Sequence, residues 1–204
     1  MDAARPIPDF RRRAVTEALA IIDAEGLDGL SIRRLADALG VRGASLYHHF
    51  RDKDEILDGV ATLAFAGLGP PEDETADWID WLMGIARSYR RALLAHPNLL
   101  PLVFGRYNRR AGTVTYDAAA RRLTAAGVPP ADQVTVINAV EAFCAGAVLY
   151  SLNIPTSAWR AELPADGCDD LRLALELDAY DEDERFELAC RALLDGLAAR
   201  IGTR

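Results

Sequence analysis

Residues 30–50 read LSIRRLADALGVRGASLYHHF, and this stretch decides how the N-terminal part of the chain folds. Its apolar residues recur at helical spacing in two short runs on either side of Gly40, a residue type that readily takes a positive φ. The spacing predicts a helix over 32–39, a tight turn, and a second short helix over 43–50. This is the pattern of a helix-turn-helix, whose second helix enters the DNA major groove. The apolar positions are Ile32, Leu35, Ala36, Leu39, Val41, Leu46 and Phe50.

A plain helical hairpin in a bundle would show the same lengths and the same turn. The outward face of the second helix favours the DNA-binding interpretation, because an ordinary surface helix usually carries some acidic residues. The outward positions here are small, polar, basic or aromatic, and none is acidic; they are Arg42, Gly43, Ala44, Ser45, Tyr47 and His48.

The charge distribution agrees with a nucleic-acid surface at the N-terminal end. The net charge is −8, but residues 1–53 contain nine Arg or Lys and eight Asp or Glu, so that this part has a net charge of +1 and residues 54–204 have a net charge of −9. Lys53 is the only lysine of the chain. The charge of a whole protein says little about a local phosphate-binding face.

The remainder of the chain is also helical in pattern, and signals for strands are scarce. We therefore predict an all-α protein with a helix-turn-helix DNA-binding domain over 1–53 and a larger effector-binding and dimerisation domain over 54–204. Residues 153–180 are less regular and are expected to hold a long connection with one or two short helices. Further helices are predicted at about 10–24, 53–65, 75–95, 98–106, 109–126, 131–152 and 181–201.

Several negative observations narrow the function classes. The N-terminus lacks the apolar core of a signal peptide, and no apolar run is expected to span a membrane, so a cytoplasmic protein without membrane association is predicted. Three widely spaced cysteines give no metal-ligand spacing, and neither a metal nor a cofactor is expected. The chain also lacks a nucleophile elbow and a phosphate-binding glycine loop, so we predict no enzymatic activity.

The run over residues 29–58, GLSIRRLADALGVRGASLYHHFRDKDEILD, resembles the DNA-binding signature of the tetracycline-repressor (TetR) family. A tyrosine in the recognition helix, an aromatic residue after it and a lysine that opens the fourth helix carry the resemblance. It implies a homodimeric transcriptional repressor that binds a palindromic double-stranded operator and is released by a small molecule.

The resemblance also assigns DNA contacts. Arg33 matches an arginine that reads a guanine in the tetracycline repressor, and Lys53 matches a lysine that binds phosphate. Tyr47 matches a tyrosine near the DNA backbone. Gly43 and Ala44 replace residues that contact bases, so a different operator sequence is expected. Base readout is left to Arg33, Arg42, Ser45 and His48.

The resemblance continues into the C-terminal domain, but the residues that bind a magnesium–drug complex in the tetracycline repressor are replaced here. The corresponding positions hold Val103, Ile85, Ala119 and Tyr150. Tyr89 is the one such position at which an aromatic residue is retained. An apolar, aromatic pocket for a small hydrophobic effector is implied. Its expected lining is Phe65, Ile85, Tyr89, Leu93, Val103, Phe104, Tyr107, Tyr116, Phe143 and Tyr150.

Two helices are expected to build the dimer, as they do in the family. The predicted interface residues are Ala142, Ala145, Gly146, Leu149, Phe186, Cys190, Leu193, Leu197 and Ile201. The fourth helix, which begins at the phosphate contact Lys53 and ends at Phe65, is expected to couple the pocket to the DNA contacts.

Two other function classes stay open at this point. The first is an enzyme, although the DNA-binding motif already accounts for Ser45 and the histidines. The second is a DNA-binding or interaction protein without an effector, which would have a fully packed C-terminal domain. His48 and His49 are adjacent on a helix and point about 100° apart, so we expect one to face outward and the other to pack inward rather than both to bind one metal ion.

Overall fold

The computed structural model describes residues 7–66, 77–103, 113–153, 156–164 and 167–202. These residues form α-helices and two short 3-10 helices, without a strand among them. The 3-10 helices are Leu27–Gly29 and Pro97–Leu99. The α-helices are α1 (Ile7–Glu25), α2 (Ile32–Leu39), α3 (Gly43–Tyr47), α4 (Lys53–Ala64), α5 (Trp78–Ala95), α6 (Leu100–Val103), α7 (Thr113–Ala125), α8 (Pro130–Asn153), α9 (Thr156–Glu162), α10 (Asp169–Leu177) and α11 (Glu182–Ile201).

The all-α prediction is confirmed, and helix ends fall where capping residues occur in the sequence. Ser31 accepts a hydrogen bond from the backbone N–H of Arg34 at 3.1 Å and so begins α2. Asp52 caps α4 in the same way. Asp181 and Glu184 form a reciprocal capping box at the start of α11. The predicted connection at 153–180 contains two short helices, α9 and α10.

The chain divides into two compact units. The first comprises residues 1–70 and 91–118, and the second comprises residues 71–90 and 119–204. Because α4 packs on α1, the first unit extends past residue 53. The domain boundary predicted at residue 53 separates the expected DNA contacts from the expected effector-binding residues. It is a functional boundary, and it stays a prediction.

The first unit is built around α1. Ala14, Ala18 and Ile22 lie on one face of that helix and are fully buried. The approach of α4 to α1 is close at Gly59, where a Cβ atom would lie 2.7 Å from Val15 Cγ2. A side chain at this position would force Val15 or the two helices to shift, so the glycine permits this close approach.

The second unit is organised by α8 and α11, which pack against each other. By length and average composition α8 is the one helix in the described ranges that could cross a membrane. Asp132, Asn138 and Glu141 interrupt it, so it contains no continuous apolar run of about 20 residues. A water-soluble domain can also contain a helix of this length and composition. A helix that packs one face in the core of its own domain and another face against a further helix is apolar on both faces. The buried residues of α8 are Gln133, Val136, Val140, Cys144, Ala145 and Val148.

Candidate DNA-binding surface and C-terminal cavity

The turn between α2 and α3 is closed by backbone hydrogen bonds and a left-handed glycine. Gly40 has φ 68° and ψ 31°, and its N–H donates to the carbonyl groups of Ala36 and Asp37. The N–H of Val41 donates to Ala36 O at 3.0 Å. A residue with a Cβ would be strained at Gly40. The turn therefore has the conformation that the sequence predicted.

Apolar side chains hold α3 against α2 and leave its other face open. Leu35 and Leu46 are completely buried, and Ala36 is nearly so. α3 is shorter than predicted, because it ends at Tyr47 and residues 48–49 continue as a turn. The N–H of Phe50 still donates to Leu46 O at 2.8 Å, so that Phe50 reaches the core as expected.

Five of the eight residues predicted to contact DNA are exposed, and their role as contacts stays a prediction. The side chain of Arg33 is 93% exposed, and its nearest acidic partner, Asp37, is 3.8 Å away. Tyr47 is 58% exposed. Arg42, Ala44 and His48 are also exposed, whereas Gly43, Ser45 and Lys53 are half-buried.

Other arginines of this unit are held by carboxylates of the same unit. Arg11 pairs with Glu55 at 2.7 Å and also donates to the carbonyl of His49. Arg34 pairs with Glu25 at 2.6 Å, and Arg51 pairs with Glu55 at 3.3 Å. Such cations are less free to bind phosphate. Among the described residues Arg42 and Lys53 form no ion pair, and Arg33 makes only the exposed 3.8 Å pair with Asp37.

The two histidines separate as expected. His48 is exposed. His49 is half-buried, and its ring lies 4.5 Å from that of Phe10. In the described part of the chain, no three His, Cys, Asp or Glu side chains group together in a way that could hold a metal ion.

The residues predicted for the effector pocket are divided between the two units. Ile85, Tyr89, Phe143 and Tyr150 belong to the second unit, where Tyr89 is buried and Tyr150 is exposed. Those that belong to the first unit are Phe65, Leu93, Val103 and Tyr116. Phe104 and Tyr107 lie outside the described residues. The pocket as a whole stays a prediction.

The second unit contains a partly open cavity of about 720 Å³, bounded by α8, α9, α10 and α11. Of the predicted pocket residues, Phe143 and Tyr150 line it. The rings of Phe143 and Phe186 lie 5.4 Å apart, and those of Tyr150 and Trp159 lie 6.3 Å apart, edge to face. Trp159 and Phe186 were missing from the predicted lining; their aromatic character was the available signal, and only folding places them beside α8.

Charged groups at the same cavity form ion pairs. Arg90 lies 5.0 Å over the ring of Phe186 and pairs with Asp183 at 2.5 Å. Arg185 pairs with Asp178 at 2.8 Å, and this hydrogen-bonded pair lowers the pKa of Asp178. The cavity is therefore apolar in its walls and carries neutralised ion pairs at its margin.

The residues predicted for the dimer interface do not share one exposed face. Phe186, Cys190 and Ala145 are buried within the protomer, where the ring of Phe186 lies 5.4 Å from that of Phe143 of α8. Leu193, Leu197 and Ile201 are half-buried. Ala142, Gly146 and Leu149 are exposed on the protomer, and their place in a dimer interface stays a prediction. The exposed large apolar residue of α11 is Leu188, one turn before the small exposed residue Ala192.

Comparison with known proteins agrees with both parts of the chain. Residues 15–60 match the family described as bacterial regulatory proteins, tetR family, and residues 70–201 match the tetracyclin repressor-like C-terminal domain. The class A tetracycline repressor of Escherichia coli transposon 1721 is 34% identical over 194 residues, which cover 91% of this chain and 89% of that protein.

Solved structures give the same result. ActR of Streptomyces coelicolor in complex with (S)-DNPA has a TM-score of 0.74 at 32% identity, over 93% of this chain and 96% of that one. The ActR complex with actinorhodin has a TM-score of 0.73 at 31% identity, over 94% and 98%. BioQ with its natural double-stranded DNA operator has a TM-score of 0.64 at 26% identity, over 93% and 98%.

The family's members are transcriptional regulators and not enzymes, which removes the enzymatic alternative. The helix-turn-helix, the exposed cations around α3 and the matches over both parts of the chain lead to one assignment. The chain belongs to the TetR family and is a ligand-responsive, DNA-binding transcriptional repressor with a tetracycline-repressor-like C-terminal domain.

Proposed function

We propose that this repressor acts as a cytoplasmic homodimer that binds a palindromic operator and is released by a small, largely hydrophobic aromatic effector. The observation that carries the DNA part is the outer face of α3, which has no acidic residue, with Arg33 and Arg42 exposed near it. Arg11, Arg34 and Arg51 are paired at shorter distances with carboxylates of their own unit. Arg42 has no ion-pair partner among the described residues and Arg33 has only an exposed one at 3.8 Å, so both can turn to a base edge or a phosphate at little cost.

The operator can be obtained without knowing the regulated gene. Selection from a pool of random duplexes should yield a sequence with twofold symmetry, whose half-sites lie one helical turn apart or a multiple of it. Fluorescence anisotropy with the selected duplex then gives the affinity and its salt dependence. A selected sequence that contains one half-site without a symmetric mate would contradict the dimeric mode of binding.

Support for dimerisation comes from exposed apolar side chains on α8 and α11. Leu149, Leu152 and Leu188 are each about half exposed, although they lie on the two long helices that organise the unit. Ala142, two turns before Leu149, and Ala192, one turn after Leu188, are small and exposed, so that another helix could approach closely. Pairing of these faces with a second copy would remove the leucines from water and place two recognition helices on one duplex.

Support for an aromatic effector comes from the walls of the C-terminal cavity and from the relatives. A filled, dry C-terminal domain would have favoured a regulator without a ligand, and the cavity of about 720 Å³ argues against that alternative. Its aromatic rings offer flat apolar surfaces to a flat ligand. The relative ActR was solved with (S)-DNPA and with actinorhodin, so these two compounds are suitable first probes.

The effector proposal is tested by release of labelled operator. Titration of either probe into the protein–operator complex should lower the anisotropy, and Phe143→Ala should weaken this response. Asn138→Ala, an exposed change on the same helix, is the matched control. If both compounds bind in calorimetry but leave the operator bound, the cavity or pocket they occupy is not the regulatory one.

A further inference from the structure

Arg90 is a largely buried cation at the edge of the C-terminal cavity. Its side chain is 14% exposed, and it lines the cavity together with Phe143 and Phe186. The guanidinium carbon lies 5.0 Å from the centre of the Phe186 ring, which in turn lies 5.4 Å from the ring of Phe143. All three residues belong to the second unit. A positive charge therefore lies beside the apolar walls of this cavity.

The partner of Arg90 within the protein leaves most of the guanidinium unused. Among the described residues its one hydrogen-bond acceptor is Oδ1 of Asp183, to which Nη1 donates at 2.5 Å. A guanidinium carries five N–H donors in a planar fork. Because a donor that is removed from water without an acceptor is unfavourable, the remaining N–H groups of this side chain are available to an acceptor on a bound molecule.

Asp183 is a weak competitor for Arg90, because its side chain is 79% exposed. A carboxylate at such a position is hydrated when it leaves its partner, so the exchange costs little. The other arginine of the cavity differs in this respect. Arg185 donates to both oxygens of Asp178, at 2.8 and 2.9 Å, and Asp178 is only 14% exposed. Arg90 is therefore the cation at which a ligand can replace a protein carboxylate.

Arg90 keeps its place when its acidic partner leaves. One turn earlier on α5, Arg87 donates two hydrogen bonds to Glu187 of α11, at 2.6 and 2.7 Å. Nearer the start of α5, Asp80 pairs with Arg191 of α11. These two pairs hold this part of α5 against α11 independently of the third pair, so the guanidinium stays at the cavity.

The acidic residues around the cavity are stabilised without Arg90. Asp178 is neutralised by Arg185, which lies 2.8 Å away. Glu182 is exposed and lies in the first turn of α11, where water and the helix N-terminus stabilise a negative charge. Asp183 lies in the same turn and is stabilised in the same way when Arg90 binds another group.

We propose that the aromatic ligand of this cavity carries a carboxylate and that Arg90 binds it, with Asp183 displaced into water. A carboxylate matches the guanidinium fork with two parallel hydrogen bonds, and the flat part of the ligand packs on the aromatic walls. The proposal rests on the proposed function, because this ligand is the effector of the repressor, and it narrows the effector to aromatic acids.

Two compounds of the same shape test the charge. 2-Naphthoate and 2-naphthamide share the same fused rings, and only the first is negatively charged at pH 7.5. Calorimetry with the full-length protein should give an affinity for the carboxylate at least about tenfold higher than that for the amide, because the hydrogen bonds to it are charge-assisted. Arg90→Met retains an unbranched side chain without the charge. It should abolish this ratio and leave the amide affinity unchanged.

Three further variants separate a ligand contact from a structural effect. Asp183→Asn should raise the affinity for the carboxylate about threefold without changing that for the amide, since it removes the competing charge. Arg90→Lys replaces Arg90→Met if that variant does not give a native circular-dichroism melt; it should reduce the ratio, because an ammonium group lacks the fork. Arg91→Met, an exposed change at the next residue of the same helix, is the matched control and should keep the parent ratio.

The outcomes distinguish this proposal from the effector proposal on which it rests. Equal binding of the two compounds, or a ratio unchanged in folded Arg90 variants, would overturn the role of Arg90 and leave an aromatic effector in place. Failure of both compounds to bind would overturn both proposals.

Discussion

Arg11 of α1 and Glu55 of α4 form a 2.7 Å ion pair, and the Arg11 guanidinium also lies 4.5 Å over the ring of Phe50. A hydrogen bond from the backbone of Arg51 and a second from Arg11 lower the pKa of Glu55 to about 2. The Glu55 carboxylate thereby joins the start of α4 both to α1, through Arg11, and to the residues that follow α3, through Arg51. It is a structural group that lies next to the DNA contacts.

Glu55→Gln should therefore destabilise the DNA-binding unit in a pH-dependent way. Because the folded pKa lies below the unfolded value, the stabilisation is fully present above about pH 4.5 and is lost as the pH falls towards 2. We expect a loss of about 1 kcal/mol at pH 7, since the pair is partly exposed to solvent. Urea unfolding at pH 7 and pH 2.5 measures it; a difference from the parent protein that is equally large at both values would contradict this role. Asp37→Asn, on an exposed carboxylate, is the control.

Arg33 and Lys53 should differ in what they contribute to operator binding. Lys53→Ala should weaken binding to operator and random duplex alike and reduce the salt slope by about one unit, because one phosphate contact is lost. Arg33→Ala should cost roughly 1–3 kcal/mol, mainly on the selected operator. Anisotropy titrations over a salt series separate the two effects. An equal loss on both duplexes for Arg33→Ala would remove its base-reading role.

The dimer face is tested by placing a charge on it. Leu188→Asp should shift the protein from dimer to monomer at micromolar concentration, because burial of an unpaired carboxylate in an apolar interface is costly. Sedimentation velocity gives the oligomeric state. Leu63→Asp, a change at a similarly exposed leucine in the first unit, should leave the dimer intact. A dimer of unchanged stability in Leu188→Asp would place the interface elsewhere.

Thiol chemistry should distinguish Cys168 from the two other cysteines. Burial raises the pKa of Cys190 to about 11 and raises that of Cys144 further, whereas Cys168 is exposed at the start of α10. A thiolate-directed reagent at pH 7.5 should modify one cysteine rapidly in the native protein and all three after unfolding. Mass spectrometry identifies the site, and rapid labelling of Cys144 would show that α8 opens.

Tetracycline with magnesium should fail to release this repressor from DNA. Val103, Ile85, Ala119 and Tyr150 occupy the positions that resemble the drug and metal contacts of the tetracycline repressor, and the three aliphatic residues lack the oxygen or imidazole donors that magnesium requires. Calorimetry with the magnesium–drug complex measures this, with the class A repressor as a positive control. Submicromolar binding would show that other residues supply the ligands.

Much of the first unit followed from local sequence. Ser31, Gly40 and Asp52 act through hydrogen bonds within a few residues of themselves, so their caps and turn could be predicted without knowledge of the fold. The same holds for the Asp181–Glu184 box. The separation of His48 from His49 followed from helical geometry alone.

The second unit was harder to predict because its helices are apolar on more than one face. The spacing in α11 identified Phe186 and Cys190 as one stripe, but spacing does not say whether a stripe meets the same chain or a second copy. In the structure these two residues pack within the protomer, and Leu188 is the exposed one. The cavity residues Trp159 and Phe186 come from separate helices, and only their tertiary arrangement brings them beside Tyr150 and Phe143.

The sequence by itself determined the helical class, the helix-turn-helix and its exposed basic residues, because caps, glycine conformations and 3.6-residue periodicity are local properties. Only the tertiary structure decided which cations are already paired, which apolar stripe is buried, and that Arg90 lies over the ring of Phe186. These are contacts between residues distant in the chain, and their existence depends on how several helices pack at once rather than on the preference of any one segment.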